Sequence, residues 1–328
     1  MRLPDSTSLT NAVWSSYSEW AIWQSPWYEM RLSAPAVLLP EDSPDGLWHL
    51  FAHSWMGIEH YSSPSGFDWS KVSLVALRGH YPSLYRERNT WHLVYESHDR
   101  DYSGSIRLDR KRTISRIWMM RSSDLRNWSS PQMILSAADV PYASDFSVPR
   151  LAHPQIVPWE GGYRLYFTAS ELKMYDSGQK ASACLSYACS GFINADYEVR
   201  QKPVLRLDPD DRHADLAPGA FSFVACPDAL MAFQSAYSFD EEAGRSRSSI
   251  WLLSSHDGED FSYVRRLMSS PDEGWASRSI TSCSVSYRPS EDSWYCYYSA
   301  NGKDPDRPWL PVRERLGLLI GNRRREGR

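Results

Sequence analysis

Two glutamates stand out by position. Glu96 closes the run "WHLVYES" and Glu171 closes "YRLYFTASE", each after a stretch that alternates like a strand and is rich in aromatics. A carboxylate there is costly if buried and unpaired, so it should face a polar channel or a cation. Two opposed carboxylates are what hydrolysis of a glycosidic bond requires: one protonates the leaving oxygen, the other activates water or attacks carbon. A glutamate after a strand is also a common solvated turn residue, and that reading stays open. Asp145 in "ASDFSVPRLAHP" and Asp215 in "HADLAP" lie just ahead of later strand pairs. They either reach the same mouth or serve as loop and capping aspartates.

Basic and aromatic groups surround these carboxylates in the sequence. Arg31 and Arg150, like Arg78 and Arg278, immediately precede strand-like runs. They suit a role as partners for the carboxylates or as grips on a substrate's hydroxyl or carboxylate groups. His153 reads as a general acid/base, a ligand for an axial cation, or a hydrogen-bonded core histidine. His53 and His80 occupy comparable places, which brings a cluster of imidazoles into view. Trp55, with Trp23, Trp27 and Trp275, falls in strand edges and connections, where an indole face either stacks on a sugar ring or packs.

These residues hang on a repeated phrase. A proline-led apolar strand, a polar turn and an aromatic strand begin at Pro35, Pro82 and Pro154, with weaker copies at Pro218 and Thr281. A third strand and a turn ending in an aromatic follow several copies, as in "GIEHYSSPSGFDW", "SRIWMMRSSDLRNW" and "SIWLLSSHDGEDF". Repetition every roughly 45–70 residues, all strand and turn, predicts an all-β, five-bladed β-propeller. The blades are expected at about 33–75, 76–140, 145–207, 213–270 and 274–322, all in one domain spanning 1–328. In each, the second strand returns antiparallel, so its end lies beside the start of the first. That rule brings His53, Glu96, Glu171, Gln234 and Asn301 toward a common funnel. The stretch "WSSYSEWAIWQSPWYEM" either supplies a closing strand to the last blade or lines the rim.

Composition narrows the partners. The 328 residues are 42% hydrophobic, with 15 Trp and 19 Tyr, ample for a core. Net charge is −4 and the longest basic block is the terminal "NRRREGR", so neither nucleic acid nor a membrane surface is expected as a partner. No run of about 18 apolar residues occurs, so no membrane span is expected. The first residues lack an apolar signal core, and the expected location is cytoplasmic. The five cysteines, Cys184, Cys189, Cys226, Cys283 and Cys296, sit mostly in strand text without zinc-ligand spacing. Free thiols, no bound metal and no cofactor are expected. Nucleotide-binding, nucleophile-elbow and zincin motifs are missing.

The turn phrases "MMRSSDLRNWSSP" and "HYSSPSGFDWSKV", with "GGYRLYFTAS", resemble the blades of five-bladed propeller glycoside hydrolases of family 43 and its relatives. The resemblance implies a glycosidase acting on a small sugar or glycoconjugate. It also implies three carboxylates just before the prolines of the first, third and fourth blades. Here those places read Ala34-Pro35, His153-Pro154 and Leu216-Ala217-Pro218. The chemistry has therefore moved within the funnel or been lost. The expected catalytic set is Glu96, Glu171, His153 and Asp145, with His53, Arg31, Arg150, His80, Trp55 and Asp215 binding substrate. The alternatives are a carbohydrate-binding propeller without catalysis and a propeller recruited to another acid/base reaction in biosynthesis.

Overall fold

The computed structural model describes residues 4–18, 21–22, 31–98, 114–146, 149–194, 197–303, 309 and 312–322; Trp23 and Trp27 lie outside them. The chain folds as a five-bladed β-propeller. The first sheet holds β2 (Leu32–Leu38), β3 (Trp48–Ser54), β4 (Gly57–Ser63) and β5 (Ser70–Leu77). The second holds β6 (Gly79–Glu87), β7 (Thr90–His98), β8 (Ser115–Ser122) and β9 (Gln132–Ser136). In the third, β10 (Leu151–Trp159), β11 (Gly162–Lys173) and β12 (Lys180–Ser190) are edged by two short pieces, β13 (Glu198–Val199) and β14 (Leu205–Arg206). The fourth holds β15 (Ala217–Ala225), β16 (Leu230–Asp240), β17 (Arg245–Ser255) and β18 (Ser262–Ser269). The fifth holds β19 (Ser279–Arg288), β20 (Ser293–Gly302) and β21 (Arg313–Asn322), and its outer strand is β1 (Val13–Ser16). Of the two roles open to the aromatic N-terminal stretch, its first residues take the closing one. No helix among the described residues is long and apolar enough to cross a membrane.

The first strands touch in cyclic order β2, β6, β10, β15, β19 and back to β2, which closes the ring. Each breaks register near its start: between Ser33 and Ala36, His80 and Ser83, Ala152 and Gln155, Ala217 and Ala220, and Ile280 and Ser282. Such bulges bend a strand and re-aim a side chain. Four have a residue with positive φ: Ala34, Tyr81, His153 and Gly219. For the three with a side chain this left-handed backbone costs of order 1–3 kcal/mol each. The strain falls on residues around the axis.

Gly219 shows how tightly a bulge is built. A Cβ there would lie 1.9 Å from the Ser235 carbonyl oxygen, at φ +72°. Gln234, fully buried, donates from its side-chain amide to the Pro218 carbonyl at 3.0 Å and ties the bulge to β16. Gly219→Ala is expected to cost upwards of about 3 kcal/mol. Chemical denaturation would measure it, and a loss under 1 kcal/mol would show that the bulge relaxes.

The turn phrase has a hydrogen-bonding cause. In "SSDLRNW", Asp124 accepts from Ser122 Oγ at 3.0 Å and from the backbone N–H of Arg126 and Asn127 at 2.9 and 2.8 Å. In "SSHDGEDF", Asp257 accepts in the same way from Ser255, Glu259 and Asp260. An aspartate that satisfies its own turn's N–H groups makes the reversal between third and fourth strands. The aromatic that ends the phrase packs between sheets, as Trp128 does against Phe51 at 5.7 Å.

One buried polar chain inside the first sheet has a pH consequence. Asp45 takes a hydrogen bond from His49 Nε2 at 2.8 Å, which leaves His49 Nδ1 to accept from His60 Nε2 at 2.8 Å. His60 Nδ1 then has no partner, and the ring stacks on Phe51 at 4.3 Å. Burial, followed by the charges of His49 and Arg126, pushes the His60 pKa down to about 3. The unfolded chain takes up this proton near pH 6.5, so stability is full above that pH and falls as pH drops toward 3. Between pH 6.5 and 4.5 the expected loss from His60 is about 2 kcal/mol. His60→Phe should flatten the slope of stability against pH by about one proton. An unchanged slope would place the proton elsewhere.

Candidate functional site

A cavity of about 200 Å³ opens at the axis, over the first-strand bulges. Ala34, Tyr81 and His153 line it from below, and the same three line a second void of about 130 Å³ on the far side. The bulge residues therefore form a floor across the central channel. Tyr81 and His153 lie with ring centroids 4.2 Å apart. Burial lifts the Tyr81 pKa to about 12 and lowers that of His153 to about 3, so both are neutral at pH 7. His53 comes from the end of β3, beside Ser33 at the start of β2. Burial, then the charges of His80 and Arg31, holds it well below its ordinary value, and its Nδ1 has no hydrogen-bond partner.

The cavity wall carries charges of both signs. Glu171, on β11, meets Lys180 Nζ at 2.5 Å and Arg150 Nε at 4.0 Å. On the fifth sheet, Glu314 meets Arg31 Nε at 2.5 Å. All five side chains line the cavity. Two carboxylates from different sheets thus face one space, each held by cations.

Glu96 lies one layer behind. It is fully buried, with Ser115 Oγ donating to its Oε1 at 2.6 Å and His80 Nδ1 3.0 Å from its Oε2. His98 Nδ1 also contacts Oε1, and Arg150 stands 3.7 Å away. Burial alone would raise its pKa, but the His80 and His98 hydrogen bonds outweigh burial and hold it at about 2. His98 is itself kept below its ordinary value by burial despite its contact with Glu96. The grouping is therefore a carboxylate enclosed by two imidazoles and a hydroxyl, with a guanidinium nearby. Ser115 also accepts from the Leu151 N–H at 3.0 Å, locking the second sheet to the third at this point.

Of the ten residues expected to catalyse or bind, Arg31, His53, Arg150, His153 and Glu171 line the cavity. The remaining five do not, each for a physical reason. Glu96 is sealed from solvent by its ligands, and His80 stands behind His53, ring centroids 4.3 Å apart. Trp55 occupies the turn between β3 and β4 and is 82% exposed. Asp145 pairs with Arg206 on the outer edge of the third sheet. Asp215 accepts from the Phe239 N–H at 3.0 Å, a loop-fixing role.

Glu314, Lys180, Tyr81 and His98 went unread in the sequence. His98 had a signal: it lies two positions after Glu96, hence on the same face of the strand. Glu314 had one too, since it pairs with Asn301, a position the strand-end rule brought to the funnel. A larger void of about 930 Å³ lies at the rim, among Asp5, Trp14 and Arg265, without converging histidines and carboxylates.

No protein-family model matches the chain, and no curated protein matches its sequence. Solved structures do match in shape. One is an N-acetylgalactosamine deacetylase from F. plautii in complex with blood group B trisaccharide, with TM-score 0.63 and 15% identity over 94% of both chains. A thermostable family-43 glycoside hydrolase matches with TM-score 0.56 and 14% identity over 88% of this chain and 89% of its own. A family 117 glycoside hydrolase from Zobellia galactanivorans matches with TM-score 0.57 and 9% identity over 97% and 92%. At these identities the likeness is one of fold: the five-bladed propeller of these proteins is also that of this chain.

Proposed function

We propose that the protein is a carbohydrate-active hydrolase that cleaves a glycosidic bond at one sugar ring held in the axial cavity. The observation that carries this reading is the presence of both Glu171 and Glu314 in the lining of a single cavity, Glu171 held by Lys180 and Glu314 by Arg31. At about 200 Å³ the cavity falls below the ~300–1,000 Å³ usual for larger ligands, which suits a single ring with the rest of the substrate outside. Glu171 acts in proton transfer and Glu314 serves as its opposed carboxylate. Neutral His153 and Tyr81 offer hydrogen bonds to sugar hydroxyls from the floor, and Arg31 and Arg150 hold the carboxylates in place. Glu96 acts from behind, by fixing Arg150 and the imidazoles. The fold shared with family 43 and family 117 glycoside hydrolases supports the same reading.

A panel of aryl glycosides and oligosaccharides tests it, scored for sugar release and for a shift of the thermal midpoint. Release from at least one member is expected. A midpoint raised by sugars that are never cleaved would instead make the protein a carbohydrate-binding propeller.

A further inference from the structure

We infer that His80, Glu96 and His98 form a binding site for a divalent transition-metal ion of the zinc class. The three residues come from two adjacent strands and share one face. His80 pairs directly with Glu96 across β6 and β7, and His98 follows Glu96 by two positions. Their ligand atoms lie within 4.8 Å of one another, near enough for one ion to draw them into a common shell by side-chain adjustment. Two imidazoles and a carboxylate form a donor set used by three-ligand zinc sites, which keep further positions for water. The same set suits other borderline divalent ions.

The surroundings of the three residues suit an ion. His98 Nδ1 is buried and directed at Glu96 Oε1, as His80 Nδ1 is at Oε2, so both imidazoles present a ring nitrogen to the one carboxylate. Ser115 donates to the carboxylate and accepts from the Leu151 N–H, fixing its orientation as outer partners of metal ligands do. The His80 and His98 side chains keep 26% and 21% of their surface exposed, so the cluster lies close to the solvent boundary although Glu96 itself is sealed. Arg150 contacts Glu96 only at 3.7 Å, longer than a hydrogen bond, so it does not saturate the carboxylate.

The site sits directly behind the cavity wall, because His80 packs on His53 and Glu96 faces Arg150. The inference does not depend on which bond the cavity cleaves, and its test reads metal instead of turnover. Full-length protein would be stripped with a chelator, dialysed against micromolar Zn²⁺ and assayed by elemental analysis. Titration with Co²⁺ would be followed by its visible absorption. About one equivalent per chain is expected, with cobalt bands of a four- or five-coordinate site. His98→Ala and His80→Ala should each weaken binding at least tenfold and remove those bands, while Trp55→Ala leaves both intact. Both histidines are partly exposed, so these variants stay testable even if one at Glu96 does not fold. Less than a tenth of an equivalent in the wild type, or binding indifferent to both histidine variants, would overturn the assignment.

Discussion

Glu171→Gln is expected to lower kcat by about a hundredfold or more on any glycoside the wild type cleaves. The side chain lines the cavity and is gripped by Lys180 and Arg150, so its position is set while its edge faces the substrate space. Glutamine keeps the shape and its oxygen can still accept from Lys180, but it has no carboxyl group to give or take a proton. Because Glu171 is only partly buried, the exchange should leave the thermal midpoint within a few degrees of wild type. Steady-state kinetics beside a melting curve separate these effects. Full activity in a folded variant would remove Glu171 from the chemistry and leave Glu314 as the carboxylate to test. A large fall in midpoint would show that the Lys180 and Arg150 contacts hold the third sheet together.

Glu96→Ala is expected to act on stability instead, with a loss of about 3–5 kcal/mol. The carboxylate is sealed from water and holds Ser115, His80 and His98 while facing Arg150. Removing it leaves the Ser115 hydroxyl only the longer bond to the Leu151 carbonyl and leaves a guanidinium beside an empty buried space. At the 2–4 °C per kcal/mol typical of domains of 150–250 residues, the midpoint should fall by roughly 6–20 °C. Glu96→Gln should fall by less, since an amide still accepts from Ser115. Urea unfolding of the two variants gives the comparison, and a loss below 1 kcal/mol for alanine would mean that water readily fills the site.

The propeller was legible because each sheet repeats its chemistry. The proline-led phrases mark first strands, and the serine–aspartate turns mark third-to-fourth reversals, where one side chain satisfies several backbone N–H groups. The strand-end rule brought His53 and Glu171 to the cavity because it depends only on antiparallel return. It stopped short at Glu96, because the histidines that enclose it come partly from a neighbouring strand. Lys180 reaches Glu171 from the strand on the far side of β11, across a turn whose length says nothing of that contact. Asp145 and Asp215 sit before strands, as funnel residues do, yet their carboxylates turn to Arg206 and to a backbone N–H. Nothing in local pattern distinguishes those outcomes. Trp55 shows the converse, an indole placed in a reversal and left in water.

The pairing of Val13–Ser16 with Leu319–Asn322 sets a schedule for making the molecule. Four sheets are complete as soon as their own segments have left the ribosome. The fifth waits for β21, about three hundred positions after its partner, and that early strand has no place in a sheet until then. The entropy of closing so long a loop grows only logarithmically, so the delay weighs on folding rate more than on final stability. Before closure, β21 presents a bare edge that another chain can occupy, and refolding from denaturant becomes a race between ring closure and association. Yield on refolding should therefore depend on protein concentration even though the finished ring keeps that edge covered.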